Sequence, residues 1–321
     1  MTGAGRRQAP QSCEATVLRF PDFLCVGFQK CGTTWLHSNL SAHPQVWLPQ
    51  CKEINYFAHI YLPEHRNWID RQRVNQMSSV LGGIDMTAPR AMAALREWLH
   101  QCDPVYNDGW YGHVFSPVRT DMLCGDISPA YAGLPPAGLV HVRRLSPHAR
   151  ILMMVRDPVQ RIVSHVGHVL KHWETSGLKD VPRPDVKQIL DNPSVWIWSD
   201  FAAAHSAWSE AFPGAVSVYD HERVATDAAA LLAEICHDLG IDENIAFHEA
   251  EERVFAGAPY EGADRVRALV KKRLRPAMER FAALFPEIGE KWLEEHYAGA
   301  GGRRRGPGGL MKALSRHRGA S

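Results

Sequence analysis

Apolar residues recur along the chain in short continuous runs and in helical stripes, and the two kinds alternate. Residues 22–28 (DFLCVGF) form an apolar run that closes on a Gly-containing turn, and the TTWLHSNLSAH segment after it sets Trp35, Leu36 and Leu40 at helical spacing. This predicts strand, loop and helix. Residues 150–155 (RILMMV) are a second continuous run, bounded by charge as a buried parallel strand is, and Pro158 stands in the first turn of the helix that follows. Further strands are expected at 45–48, at 122–125 as a strand edge, and at 215–219 (AVSVY). Helices are expected over 135–145, 199–212 and 226–239, the last stopped by Gly240. Residues 87–102 read as an amphipathic helix with Thr87 as N-cap and Met92, Leu95 and Leu99 on one face. A last helical pattern carries Leu269, Leu274, Met278, Phe281 and Leu284, breaks near Pro276 and ends around Trp292. Strands alternating with helices argue for an α/β fold, a central parallel sheet with helices on both faces.

Between these elements the pattern lapses. Residues 1–20 are polar and aperiodic and read as a flexible arm, and residues 298–321 (beginning AGAGGRRRGPGG) read as a disordered basic tail. Residues 55–86 are aromatic, charged and irregular, the character of a lid. The organisation expected is therefore one catalytic domain over 21–297, with a lid or substrate-facing insertion at about 55–120.

Composition narrows the classes. The 321 residues are 45% hydrophobic and 22% charged, with a formal net charge of +1, so the overall balance gives no support to a nucleic-acid partner. The seven cysteines, at 13, 25, 31, 51, 102, 124 and 236, include no C-x-x-C pair, which argues against a disulfide framework and a structural zinc. No apolar run reaches the roughly 18 residues of a membrane span, and no signal-peptide core follows the first arginines. A cytoplasmic protein is expected. Of 17 histidines, His165 and His168 fall three apart on a helix, but nothing has H-E-x-x-H spacing and no metal site is expected.

The chemistry starts at Gly27-Phe-Gln-Lys-Cys-Gly32-Thr33-Thr34. This has the two-glycine frame of a Walker A loop, G-x-x-x-x-G-K-[ST], with Thr33 where the lysine belongs and Lys30 supplying the cation. Strand, loop and helix in this order aim backbone N–H groups and a helix dipole at one point, which suits a phosphate or phosphosulfate. A nucleotide triphosphatase needs the loop lysine and an acidic residue on Mg²⁺. A transferring sulfuryl group carries less negative charge, and a lysine with backbone amides suffices for it. A second motif, Arg156-Asp157-Pro158-Val-Gln-Arg161-Ile-Val-Ser164, opens at the exit of the 150–155 strand. There Arg156 can fork onto a phosphate, and Ser164, about two helical turns on, can add a hydroxyl to it.

Lys30-Cys-Gly-Thr-Thr-Trp-Leu, continuing through Leu40, His43, Pro44 and Val46 to Lys52-Glu53 and Tyr56-Phe57, resembles the 5′-phosphosulfate segment of sulfotransferases that use 3′-phosphoadenosine 5′-phosphosulfate (PAPS). It is most similar to the carbohydrate branch that includes the heparan sulfate enzymes, and to bacterial small-molecule sulfotransferases. The Arg156 to Ser164 motif is similar to that family's 3′-phosphate segment, R-D-P-x-x-R-x-x-S. Weaker likenesses at Asp126-Ile-Ser128-Pro129-x-Tyr131 and Trp110-Tyr111 extend the resemblance over about residues 22–170. It implies a P-loop nucleotide-triphosphatase-like fold, PAPS as donor and 3′-phosphoadenosine 5′-phosphate (PAP) as product.

The resemblance assigns roles. Lys30, Cys31, Gly32, Thr33, Thr34 and Trp35 cradle the 5′-phosphosulfate, with Cys31 as packing; Arg156 and Ser164 hold the 3′-phosphate, and a segment over 262–267 is a further candidate for it. Lys30 stabilises charge on the leaving group, and Lys52 assists or touches substrate. Glu53 is the expected base, against the plainer reading of a surface glutamate paired with Lys52. His113 is the reserve base, its imidazole suited by its ordinary pKa. Trp68, Trp110, Tyr111, Trp196 and Trp198 offer rings for an acceptor groove, or for the core. The acceptor expected is a small molecule, glycolipid or carbohydrate, with O- or N-sulfation, monomer or homodimer, all open. The alternatives are a P-loop kinase or triphosphatase and a non-catalytic sulfonucleotide-binding protein.

Overall fold

The computed structural model describes residues 18–83, 95, 101, 105–175, 182–247, 250 and 260–298. The expected helix at 87–102, the tail from 299 and the arm before 18 lie outside these residues, apart from single positions. Five parallel strands, β1 (Phe23–Gly27), β2 (Val46–Trp47), β3 (Leu123–Ile127), β4 (Arg150–Val155) and β5 (Val216–Asp220), lie in the order β2-β3-β1-β4-β5. Leu24 pairs with Asp126 on one side and Ile151 on the other, and Ile151 pairs in turn with Val216. Every residue of β1 and all but the first of β4 are buried. Successive strand residues face opposite sides, so both faces of the sheet are covered, as the continuous apolar runs required.

Helix α1 (Thr33–Ser41) follows β1. After β2 come α2 (Tyr56–Tyr61), a 3₁₀ turn (Pro63–His65), α3 (Arg66–Gly83) and α4 (Asp108–Val114). A 3₁₀ turn (Pro129–Gly133) and α5 (Pro136–Leu145) link β3 to β4, and α6 (Pro158–Thr175) leaves β4. Then come α7 (Val186–Asp191), α8 (Pro193–Ile197) and α9 (Phe201–Ala211). Past β5 lie α10 (Arg223–Thr226), α11 (Ala228–Leu239), α12 (Ala263–Leu284) and α13 (Pro286–Tyr297).

Three expectations change. The segment expected to be irregular at 55–86 is largely helical, because α3 is held by polar side chains rather than an apolar stripe: Arg73 is buried and donates to the Ile54 carbonyl at 2.6 Å. β3 extends to Ile127 and is internal, flanked by β1 and β2. The last helical region runs unbroken through Pro276 and breaks at Pro286 instead, which opens α13. Pro276 removes only the bond to the Lys272 carbonyl, and Lys272 lies on the exposed side. The buried stripe of α12 is Val266, Val270, Leu274, Met278 and Phe281, while Leu269 and Leu284 face solvent.

Candidate active site

The carboxyl ends of β1 and β4 meet at the centre of the sheet, where the strand order reverses and ligands of open α/β sheets bind. The loop between β1 and α1 carries Lys30 at φ 66° and Gly32 at φ 87°, both left-handed. Left-handed residues in such a loop turn successive amides toward one point and form an anion-binding concavity. The first amides of α1 have no partner within the helix and add the positive end of its dipole. Gly32 is required twice over, by its φ and by the His221 imidazole, whose Cδ2 would stand 2.5 Å from an added Cβ.

Three cations converge here. Burial and the neighbouring Arg156 and Lys52 lower the pKa of Lys30, with Glu53 opposing them. A like-charge cluster of this kind is relieved by a bound anion. Arg156, half-buried, donates to the Lys30 carbonyl at 3.3 Å, and so joins the R-D-P motif to the loop. Asp157 beside it is buried: one carboxylate oxygen accepts from the Val159 amide at 2.8 Å, capping α6, and the other lies 2.5 Å from His296 Nε2 of α13. Together with Glu295 these two gather potential ligand atoms within 4.8 Å of one another, but their own hydrogen bond already occupies the facing atoms.

Lys52 and Glu53 sit on a strained turn, with Glu53 at φ 61° and Asn55 at φ 54°. Lys52 Nζ donates to Thr34 Oγ1 at 2.7 Å and to Glu53 Oε1 at 3.2 Å, which fixes the glutamate against the start of α1. Helix α3 grips the same turn: Gln72 Nε2 donates to Glu53 Oε2 at 2.9 Å and Gln76 Nε2 to the Lys52 carbonyl at 2.7 Å. From beneath, the Asn55 amide donates to Ser128 Oγ at 3.0 Å, and Ser128 donates to Asp126 at 2.6 Å. The Tyr111 and Tyr131 hydroxyls donate to the other oxygen of Asp126 at 3.0 and 2.8 Å. Burial holds the Asp126 carboxyl above the usual carboxylate range, and hydrogen bonds from these three hydroxyls only partly offset it.

The structure thus brings Lys30, Gly32, Thr33, Thr34, Lys52, Glu53 and Arg156 to one end of the sheet, with Ser164 half-buried in the second turn of α6. Cys31 is fully buried, its thiol pushed up to about 12 by burial, and packs rather than reacts. Trp35 is buried with Nε1 on the Ala250 carbonyl at 2.9 Å. Trp110 and Tyr111 do not line a groove: they are 5% and 0% exposed and pack with Tyr56 in the core, so Tyr111 acts on the Glu53 turn only through Asp126. His113 lies on α4, whose Gly112 carbonyl is tied to the Arg19 amide at 3.1 Å, ahead of β1; the phosphate loop leaves the opposite end of that strand. In the 262–267 segment Arg267 pairs with Asp264 at 2.6 Å. Sequence reasoning missed Gln72, Gln76, His221 and His296, which reach the site from distant elements and carry no motif.

A glycine-framed loop, an arginine hydrogen-bonded to it and a tethered carboxylate lie together at the carboxyl end of a 2-3-1-4-5 parallel sheet, the layout of an α/β fold with a P-loop-like turn. A model of the sulfotransferase family matches residues 21–244, and the chain belongs to that family. It is 24% identical over 173 residues to the membrane-associated sulfotransferase kil1 of Dictyostelium discoideum; the match takes in 52% of this chain and only 27% of that relative's length. The backbone is similar to the crystal structure of a sulfotransferase from Alicyclobacillus acidocaldarius, with a TM-score of 0.55 and 21% identity over 85% of this chain and 98% of that one, a likeness of fold. Among the described residues no helix is long and apolar enough to cross a membrane.

Proposed function

We propose that this protein transfers the sulfuryl group of PAPS to a hydroxyl or amine by in-line displacement, with Glu53 as base. The observation that carries the reading is the convergence of Lys30, Lys52 and Arg156 on a left-handed phosphate loop with one carboxylate, Glu53, held against it. When bound, the donor supplies an electrophilic sulfur whose bond to the phosphate oxygen breaks as the acceptor's bond forms. Glu53 takes the acceptor's proton. Lys30 and the loop amides face the oxygen that leaves with the electron pair, where fixed donors lower the barrier most. Lys52 holds both Thr34 and Glu53, and so sets base and loop in one register. Arg156 and Ser164 take the 3′-phosphate, the group that separates this donor from ordinary adenine nucleotides.

The same reading treats residues 21–297 as one catalytic unit. Cys25, Cys31, Cys124 and Cys236 are buried thiols outside any disulfide, which fits a reducing, cytoplasmic setting. Isothermal titration with PAP, ATP and 5′-AMP, with and without Mg²⁺, in wild type and Arg156→Ala tests the donor site. Metal-independent PAP binding weakened at least about thirtyfold by the substitution, the value of a charge-assisted phosphate contact, is expected. If ATP with Mg²⁺ binds instead and the 3′-phosphate adds nothing, the chain is a P-loop kinase or triphosphatase.

A further inference from the structure

We infer that His221 is a donor-binding residue whose imidazole takes up a proton from solvent as the nucleotide binds and donates a hydrogen bond from it to a phosphate oxygen. The inference rests on the sulfuryl-transfer reading and adds to it a proton that travels with the donor. Asp220 pairs with Val155 in the parallel register of β4 and β5, and the next amide, that of His221, donates to the Val155 carbonyl at 2.8 Å. This bond sets His221 beside Arg156, the residue that follows Val155. The His221 carbonyl accepts from the Val224 amide at 3.1 Å, so the backbone is held on both sides. The ring then reaches the loop between β1 and α1. A Cβ added to Gly32 would stand 2.5 Å from Cδ2 and 3.3 Å from Nε2, so the Cδ2–Nε2 edge lies against the residue that opens α1. The unpaired amides of the first turn of α1 leave from that same point.

In the free protein the ring is unused. It is half-buried, and neither nitrogen makes a hydrogen bond among the described residues. Burial, with the Arg156 charge adding to it, lowers the imidazole to about 4. Lys30, two residues before Gly32, adds a second cation to the loop. The carboxylates around the ring are committed elsewhere. Asp220 accepts from the Glu222 amide at 3.0 Å, and Asp157 is taken by the Val159 amide and His296. Glu222 is exposed and faces Asp220, Asp157 and, on α13, Glu295 and Lys291. A phosphate at the loop reverses this balance, because it answers the Arg156 charge and gives the ring an anionic acceptor. The strand order keeps His221 away from Glu53: β5 lies beyond β4 on one side of β1, while the Glu53 turn rests on the other side, on Ser128 at the end of β3, through the Asn55 amide. His221 therefore serves the donor and not the acceptor's proton.

The test is isothermal titration of the full chain with PAP at pH 8 and pH 5.5, each in two buffers of different ionisation enthalpy, in wild type, His221→Gln and His221→Asn. A urea melt shows that each variant folds, and the nucleotide's own protons cancel in the comparison. An anion in contact favours an imidazolium by about tenfold to a thousandfold. From the middle of that range, the wild type should take up about 0.7 proton more than either variant at pH 5.5 and no more than they do at pH 8. Its PAP affinity relative to the variants should rise about fourfold from pH 8 to pH 5.5, because the bound ring holds the proton that the free ring refuses. Imidazole nitrogen-15 spectra of the wild type at pH 5.5 need no variant: one histidine should turn from neutral to charged on addition of PAP. A proton difference below about 0.1 at pH 5.5, or spectra in which no histidine changes state, overturns the inference and leaves PAP binding, hence the donor reading, standing. A wild type that binds no PAP overturns the donor reading itself.

Discussion

Replacing Glu53 by Gln keeps the shape of the side chain and removes the group that takes the proton. In the native site one carboxylate oxygen accepts from Lys52 at 3.2 Å and the other from Gln72 at 2.9 Å, with only 14% of the side chain exposed. The amide variant keeps an acceptor toward Lys52, while its NH₂ group meets the Gln72 NH₂. Gln72 then turns its amide over and gives up the long 3.4 Å contact from Asn55. The net loss in the resting site is about 1 kcal/mol, one modest neutral hydrogen bond. The transition state loses far more, since a positioned general base contributes roughly 10²–10⁴ in rate, or about 3–5 kcal/mol of barrier. The assay is PAP released from PAPS in the presence of a panel of alcohol and amine acceptors, read on whichever the wild type turns over, with a PAP titration on the same protein. We expect kcat to fall by about 10²-fold or more while PAP affinity holds within about threefold, because Glu53 opposes rather than makes the anion site. A glutamine variant that keeps more than about a tenth of the rate with unchanged PAP binding refutes Glu53 as the base.

Two further outcomes follow from the buried polar groups. His296→Ala strips a fully buried Asp157 of its imidazole partner and leaves one carboxylate oxygen without a hydrogen bond, which costs about 1–3 kcal/mol; a urea melt reads the loss, and PAP affinity should fall with it because Asp157 adjoins Arg156. A variant as stable as wild type would show that α13 does not anchor the R-D-P turn. Acid stability gives an independent check. His37, His165, His168 and His221 are lowered by burial to about 4, 3, 4 and 4, so below the ordinary imidazole value the unfolded chain takes up protons that the fold excludes. Stability is then complete above about pH 6.5 and declines as the pH falls toward 4. His165→Gln should remove about one proton from that slope in urea midpoints taken across the range; an unchanged slope would show that His165 titrates normally in the fold.

Local order was legible in the sequence wherever a single element carried its own signal. The apolar runs at 22–28 and 150–155 are buried strands because a strand covered on both faces has no polar positions to alternate, and no partner is needed to see that. The phosphate loop and the R-D-P turn were equally plain, since each is a contiguous piece of backbone geometry with fixed residues. Lys30 and Arg156 were named from those motifs, and Lys52 and Glu53 from the family resemblance that the motifs carry. What the sequence could not show was which side chains come from elsewhere. Helix α3 has almost no apolar stripe, and its hold on Glu53 runs through two glutamines whose partners lie some twenty residues back. His221 excludes a side chain at Gly32, nearly two hundred residues away in the chain, because β5 ends next to the loop.

The aromatic pair Trp110-Tyr111 shows the same limit from the other side. Rings suit a sugar face and a core equally well, and composition cannot choose between them; the stacking on Tyr56 and the hydroxyl on Asp126 chose the core. The sequence by itself determined the parallel α/β sheet, the glycine-framed loop after β1 and the family, because these rest on short-range pattern and contiguous motif. The tertiary structure alone decided which carboxylate is tethered, which rings enter the core and which histidines are held neutral by burial, because those depend on burial and on contacts between residues far apart in the chain.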